Sequence, residues 1–438
     1  MSDVILLADV FESYREMSNE IYKLDPVLFP SAPALSWNAF LNMTKSEIFP
    51  IIKGQEQILK LIVNNMRGGI CSRGELTYMN VFGKKDEFIV YLDMNNLYGK
   101  AMMFPLPIGN YDYQELNIEG KELEKYVKNI LEYDINKSEK GYILEVDIEP
   151  PFGFVKEFGV DAHDWFNGYP LFPEKINKKL ECTLYPKEKY VVHIAYLQLG
   201  LKLGYKITKI HSIIRFLQKP IMKKYIEFNT ERRKNAPNKF YEDFYKLMNN
   251  SIYGKTCENP LKYKNRKIIT RKDEIVKFLN STKALDFHKI DDGIILGEYK
   301  NKVMYRKPVA IGFTVLEISK MLMADFYYNV MKKFYGMNCK LLYTDTDSLV
   351  CHIKSENHPI NDFKTKLKNY FEQPETMKVP GLMKLECCCV FFGAYSPKNY
   401  IYVKDNLEIA FRKKGIPSNV VNLEKWEGIK SKGVKYVA

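Results

Sequence analysis

Three carboxylates stand where apolar strands run out. Asp93 closes the run Phe88-Ile-Val-Tyr-Leu92. Asp345 and Asp347 lie two apart in Leu342-Tyr-Thr-Asp-Thr-Asp-Ser348. Acids two apart in a hairpin turn can face one side. A third acid on a neighbouring strand then completes a hard, oxygen-only site of the kind Mg²⁺ takes, with water and substrate phosphates filling the octahedron. Two such ions about 3.5–4 Å apart activate a hydroxyl and stabilise a leaving pyrophosphate. D-x-D alone reads as a polar turn, but strand, Y-x-D-x-D-S and strand is a much stronger pattern. A second chemical face lies on Lys239–Tyr253, a helical stretch. At about 100° per residue, Lys246, Asn250, Tyr253 and Lys239 share one stripe, and Phe240, Phe244, Leu247, Met248 and Ser251 the other. The apolar stripe is expected inward. The cationic one could grip a triphosphate, with the Tyr253 ring and Gly254 close to a base. Alone, the same pattern also suits a surface helix with solvated lysines.

The elements that must position these groups are legible in outline. Val4–Glu20 reads as a helix, and Pro26–Pro33 breaks it. Phe88–Leu92 reads as a buried strand. Leu144, Val146 and Ile148 alternate with Glu145, Asp147 and Glu149, a half-buried strand whose acids are expected to be solvated. Ile221–Tyr253 reads as two helices split near Ala236-Pro237-Asn238. Val309–Phe334 reads as a core helix, Lys340–Ile353 as strand, tight turn, strand, and Gly393–Val403 as an aromatic-rich strand.

The 438 residues suggest two to four structural units. Lys plus Arg exceed Asp plus Glu, 66 against 53, and the surplus of +13 favours a polyanionic partner. The longest uncharged run, Pro26–Thr44, is broken by prolines, so no membrane span is expected. Asp3 and Asp9 argue against a signal or transit peptide. The eight cysteines include Cys387-Cys388-Cys389 but no C-x-x-C pair. Buried, reduced thiols and an intracellular compartment are expected. The six histidines show no ligand spacing, so no His-based metal site is expected.

In order, these segments resemble motifs A, B and C of family B DNA polymerases. Motif A, usually D-x-x-S-L-Y-P, stands as Asp93-Met-Asn-Asn96-Leu97-Tyr98-Gly99. Motif B, K-x-x-x-N-S-x-Y-G, stands as Lys246, Asn250, Ser251, Tyr253 and Gly254. Motif C, Y-x-D-T-D-S, runs from Tyr343 to Ser348. Ser396-Pro-Lys398-Asn-Tyr400 resembles the K-x-Y motif at the primer end. Met66-Arg67-Gly68-Gly69 resembles the template-gripping Y-x-G-G motif. Phe104-Pro-Leu-Pro-Ile-Gly109 fits the protein-primed branch of phages, adenoviruses, linear plasmids and virus-like transposons. The spacings of 153 positions from Asp93 to Lys246 and 92 from Tyr253 to Asp345 leave room for that branch's two insertions.

The resemblance implies an α+β right-hand fold with an antiparallel palm sheet, helical fingers and an incomplete thumb. Its units would be an exonuclease end (1–50), template linker and first palm part (51–119), first insertion (120–190), second palm part (191–212), fingers (213–256), second insertion (257–305), third palm part (306–402) and thumb start (403–438). It implies that Asp93 and Asp347 bridge two Mg²⁺ or Mn²⁺ ions, with Asp345 and the Met94 carbonyl nearby. Lys246, helped by Lys239 and Lys234, would bind the dNTP. Tyr98 would exclude a 2′-hydroxyl, and Asn250 and Tyr253 would shape the base-pair pocket. Arg67, Gly68, Gly69, Ser348, Lys398 and Tyr400 would meet DNA. The expected partners are primer-template DNA, dNTPs and a terminal priming protein. A monomer is expected, with no membrane partner. Asn96, Gly99 and Met66 depart from the patterns and are expected to weaken activity. Asp3 resembles one exonuclease carboxylate, and the others are absent from the sequence, so no 3′–5′ exonuclease is expected. The short thumb is expected to lower processivity. Two rivals stand beside this reading: a non-catalytic DNA-binding remnant, and a reverse transcriptase, whose turn would read Y-x-D-D.

Overall fold

The computed structural model describes residues 2–74, 78–155, 159–177, 179–259, 261, 265–300 and 307–415. Helix α1 (Ser2–Tyr22) leads through a 3-10 turn at Pro26–Leu28 to α2 (Ala32–Thr44) and α3 (Glu56–Asn65). Strands β1 (Cys71–Arg73), β2 (Tyr78–Asn80) and β3 (Glu87–Met94) follow, then α4 (Leu97–Met102) and β4 (Leu106–Ile118). Next come α5 (Gly120–Glu132) and β5 (Lys140–Glu149). The short hairpin of β6 (Phe154–Val155) and β7 (Val160–Asp161) precedes α6 (Ala162–Phe166). A second hairpin pairs β8 (Glu174–Ile176) with β9 (Lys179–Glu181), and β10 (Lys187–His193), α7 (Ile194–Lys202) and β11 (Lys206–Lys219) come after it. Helices α8 (Lys223–Lys234) and α9 (Lys239–Thr256) are split by Pro237, and Asn238 caps α9 by accepting from the Tyr241 N–H. Then come β12 (Asn265–Ile269), α10 (Lys272–Leu279), β13 (Ala284–Asp291) and β14 (Ile294–Tyr299). Helix α11 (Val309–Asp325) runs on through a π-helical turn, Phe326–Lys332. Strands β15 (Cys339–Asp345), β16 (Ser348–Lys354), β17 (Met383–Ser396), β18 (Asn399–Lys404) and β19 (Ile409–Lys413) end the described chain. Of the stretch 403–438 expected to open a thumb, 416–438 lie outside the described residues.

The fold is α+β. An antiparallel sheet ordered β1-β15-β16-β3-β17-β18-β19, with β2 beside β17, carries the acid-bearing strands at its centre. β-branched and aromatic residues dominate those strands. Val90, Leu92, Leu349 and Cys351 face the main core, while Ile89, Tyr343, Val350 and Phe392 fill a second core on the other face. Helix α11 is buried almost all round, as its uniformly apolar sequence requires.

A second antiparallel sheet, β10-β5-β11-β4, joins the flanks of the expected first insertion to its interior. Its strand β5 lies between β10 and β11, so strands from both sides of 119/120 and 190/191 share one sheet. The acids of β5 are not simply solvated. Glu145 accepts from Ser212, and Asp147 accepts from His211 and the Lys189 N–H. The two helices read over Ile221–Tyr253 span Lys223–Lys234 and Lys239–Thr256, so the expected fingers unit (213–256) opens on strand rather than helix. Residues 213–219 continue β11, because Ile-Ile-Arg-Phe-Leu alternates between two neighbouring strands until Pro220 stops the ladder. The segment β12–β14 with α10 has its own small core of Ile269, Phe278 and Ile295. No helix among the described residues is long and apolar enough to cross a membrane. All eight cysteines are free thiols.

His193 is fully buried and caps α7, its Nδ1 accepting from the Ala195 N–H. Burial alone pushes its pKa down to about 3. The unfolded chain therefore takes up this proton first, near the ordinary value of about 6.5. Stability from this group is complete above that value and drains away as pH falls. Lowering the pH from 7 to 4 should cost about 3 kcal/mol through His193. His193→Asn keeps a cap and removes the titration, so its urea-unfolding midpoint should fall less steeply with acid. Equal slopes for the two proteins would rule this out.

Candidate active site

The centre of the site is a two-residue turn. Asp345 ends β15, Ser348 starts β16, and the two are cross-strand partners. Thr346 adopts φ +66°, the left-handed conformation such a tight turn needs. Its N–H donates to the Ile70 carbonyl (2.7 Å). Gly69 lies so close that a Cβ there would fall 2.6 Å from the Thr346 side chain. The turn is thus seated on the Gly68-Gly69-Ile70 segment. On its other flank, Ser348 pairs in register with Asp93, and the Met94 N–H donates to the Asp347 carbonyl (2.7 Å).

Asp93 and Asp347 consequently repel one another within a largely desolvated site. The Asp93 pKa is pushed up to about 7, by burial first, then by Asp347 and Glu386, against Lys384 and Lys246. That of Asp347 is also raised, chiefly by burial and then by Asp345. Neither carboxylate has an ion pair with a protein cation among the described residues. Asp345 differs: the Lys398 ammonium donates to both its oxygens (2.7 and 2.8 Å). Lys398 sits at φ +60° in the β17–β18 turn, and its N–H donates to the Tyr343 hydroxyl (2.7 Å). No cluster of three or more protein metal donors occurs among the described residues. Two mutually repelling carboxylates short of positive charge nevertheless fit Mg²⁺, which commonly takes one or two protein carboxylates and leaves the rest to water and phosphate.

Helix α4 starts three residues beyond Met94. It carries Tyr98, whose ring stacks on Tyr253 of α9 with centroids 4.2 Å apart and planes at 7°. Burial, then Asp347, raises the Tyr98 pKa to about 12. Lys246 is exposed, within electrostatic reach of Asp93, and unpaired among the described residues. Asn250 is exposed on the next turn. The buried face of α9 is rotated from the expected one: Phe244, Tyr245, Met248, Asn249 and Ile252 are inside, while Phe240 and Leu247 are about two-fifths exposed. The cause is α8 and α2 flanking α9. Asn249 reaches Thr230, and Ser251 meets Ser36 at 2.6 Å. Lys239 is exposed and pairs along its own helix with Asp243 (3.2 Å). Lys234 is exposed in the last turn of α8.

Several residues expected at DNA point inward. Arg67 is buried, stacks on Tyr190 at 3.8 Å, and donates to the carbonyls of Val191 (2.9 Å) and Asn65 (3.2 Å). Tyr400 is buried, its hydroxyl on that of Tyr91 (2.9 Å). Ser348 is buried beneath the turn, and the Met94 side chain is buried too. Gly68 is exposed. Sequence reasoning missed Glu317 and Lys320, a fully buried ion pair on α11 (3.1 Å) whose lysine also donates to the Arg67 carbonyl (3.0 Å). The signal was present: two opposite charges three apart in a helix otherwise apolar on every side.

The sequence matches the family model for DNA polymerase type B, organellar and viral, over residues 1–307. No curated protein matches it. Among solved structures it is similar to phi29 DNA polymerase in an orthorhombic crystal form, with a TM-score of 0.58 and 16% identity over 90% of this chain. The ternary complex of phi29 DNA polymerase with primer-template DNA and incoming nucleotide gives the same values. The binary complex with primer-template DNA gives a TM-score of 0.56. The chain spans 62% of the length of the phi29 polymerase chain. These structures share the fold of this chain.

Arg67→Ala would strip the Val191 carbonyl of its buried donor and remove the Tyr190 contact. Unfolding free energy should drop by about 2–4 kcal/mol in urea. A variant with unchanged stability and weakened DNA binding would instead make Arg67 a template contact.

Proposed function

Since the chain belongs to the type B DNA polymerases of organelles and viruses, we propose that it adds dNTPs to a DNA 3′ end, on a DNA template, by two-metal phosphoryl transfer. The observation that carries this is one convergence: two unneutralised carboxylates, Asp93 and Asp347, beside an exposed Lys246 and the stacked Tyr98–Tyr253 pair.

In this reading Asp93 and Asp347 would hold the Mg²⁺ or Mn²⁺ ions, leaving the remaining positions to water and triphosphate oxygens. Bound there, the cations supply polarisation of the 3′-hydroxyl and neutralise charge on the leaving pyrophosphate. Lys246 binds the triphosphate and offsets the charge that builds as pyrophosphate departs. No carboxylate forms an ion pair with it among the described residues, which supports that role. Lys239 and Lys234 extend the positive field along the same helical pair. The Tyr98 ring, fixed against Tyr253, forms a flat floor beneath the sugar and leaves no room for a 2′-hydroxyl. Asn250 and Tyr253 border the nascent base pair. Lys398 neutralises Asp345, so only two carboxylates face the ions. A primer-terminal phosphate that draws Lys398 away releases Asp345 to the site. Gly68, exposed and with open space over its Cα, leaves a template strand room to approach the backbone, while Gly69 seats the Thr346 turn. Initiation from a priming protein's hydroxyl belongs to the same reading.

Primer extension with dNTPs and Mg²⁺ or Mn²⁺ tests this directly. Asp347→Asn should lower the rate by about a thousandfold or more, since metal polarisation is worth several kcal/mol and each 1.36 kcal/mol is tenfold. DNA binding should weaken steeply between low and moderate salt as counterions are released. No extension by the wild type, with salt-sensitive binding kept, would leave a DNA-binding remnant. Equal extension on RNA templates would point to a reverse transcriptase.

A further inference from the structure

We propose that Asn96 and Gly99 are a matched pair that fixes where Tyr98 stands, so that the two departures from the motif A pattern compensate one another. The consequence for nucleotide use rests on the polymerase reading. The pairing itself does not.

The chain between Asp93 and Tyr98 has little freedom. Met94 is tied by its N–H to Asp347. Asn95 is tied twice, its N–H donating to the Leu382 carbonyl (2.9 Å) and its own carbonyl accepting from the Gly381 N–H (2.8 Å). The direction of α4 is therefore decided at Asn96, the one residue left before the helix. Asn96 has φ +44° and ψ +56°. Asparagine is among the few non-glycine residues that visit this conformation routinely. From there its Oδ1 accepts from the Gly99 N–H (3.1 Å), satisfying a donor that the first helical turn leaves unpaired.

That hydrogen bond lays the amide flat on Gly99. A Cβ at position 99 would fall 2.1 Å from Asn96 Nδ2, 2.4 Å from Cγ and 2.6 Å from Oδ1. Any side chain at 99 therefore expels the amide of 96. Proline at 99 would remove the donor as well. Conversely, a residue at 96 without an amide leaves the space over Gly99 empty and lets the turn relax. Residue 98 lies between the two partners, and its ring must meet Tyr253 at 7°. A small tilt of α4 moves that ring sideways across the site. Asn96 and Gly99 are thus positioning residues acting through Tyr98.

The test is a double-mutant cycle of wild type, Asn96→Ser, Gly99→Ala and Asn96→Ser/Gly99→Ala. Urea unfolding reads the pairing without catalysis. Gly99→Ala should lower the midpoint, and adding Asn96→Ser should restore part of it, because serine vacates the space while its hydroxyl can still cap. Single-nucleotide extension reads the positioning. Gly99→Ala should lower kcat/KM for dNTP about ten- to a hundredfold, mainly through KM, as expected for displacement on the order of 1 Å. It should also narrow the preference for dNTP over rNTP, and the double variant should recover both. Effects that simply multiply in both assays would overturn the pairing. Coupling in unfolding with unchanged KM and sugar preference would overturn the positioning role. Coupling in unfolding where even the wild type fails to extend would uphold the pairing and sink the polymerase reading instead.

Discussion

Two carboxylates held together in a largely desolvated site are the constraint around which this structure is arranged. Burial raises the proton affinity of both, and neighbouring carboxylates add to it: Asp347 and Glu386 at Asp93, and Asp345 at Asp347. Left to themselves, such groups would separate or protonate. They stay because neither can move without its strand. The Asp93–Ser348 register and the Met94-to-Asp347 hydrogen bond lock the backbones, and apolar cores lie on both faces of β3 and β16. The strain is electrostatic, and a cation removes it. Under the proposed function, that asymmetry suits the site to positive charge rather than to general-acid chemistry.

The third carboxylate shows how selective the arrangement is. Asp345 is two residues from Asp347, yet Lys398 satisfies it with two short hydrogen bonds. Lys398 reaches it because the β17–β18 turn is tied to Tyr343, in the strand that carries Asp345. Beneath the turn, the Glu317–Lys320 pair holds the Arg67 carbonyl, and Gly69 then abuts Thr346. Burying that ion pair is costly unless its members are fully hydrogen-bonded. Lys320 meets that condition, with three acceptors in Glu317, Leu316 and the Arg67 carbonyl, but the buried Glu317 Oε2 has no hydrogen-bond partner among the described residues. The outcome is a turn fixed from below by α11 and from the side by Lys398.

Much of this was legible in the sequence, and the failures have definite causes. The Asp345–Asp347 hairpin could be read because apolar runs flank it and the side-chain period is two on either side. The split at Pro237 was visible for a similarly local reason. The helical pair was legible to within two residues of its start, but the strand state of Ile213–Lys219 was not, because only its neighbours β4 and β5 decide it. The face of α9 was off by part of a turn because periodicity ranks hydrophobicity, whereas Asn249 is buried by a hydrogen bond to Thr230. Arg67 looked like a surface cation for the same reason. Nothing local announces that Tyr190, more than a hundred positions later, will cover its guanidinium.

Helix α9 is joined to the sheet that carries the carboxylates. Helix α9 offers Lys246 and Asn250 outward, but it does not stand alone. Ser251 meets Ser36, Tyr253 meets Tyr98, and Glu242 meets Lys378 (3.1 Å) of the loop that leads into β17. Those three contacts reach α2, α4 and the palm edge respectively. The Glu242–Lys378 pair is part-exposed, so by itself it contributes little to stability. Its use is geometric: it joins the far end of α9 to the strand that pairs with Asp93. The same exposure makes it easy to break. Between those ends the apolar face of α9 packs on α2 and α8, with Phe244, Met248 and Ile252 buried, so Lys246 and Asn250 are presented from a helix held along its length.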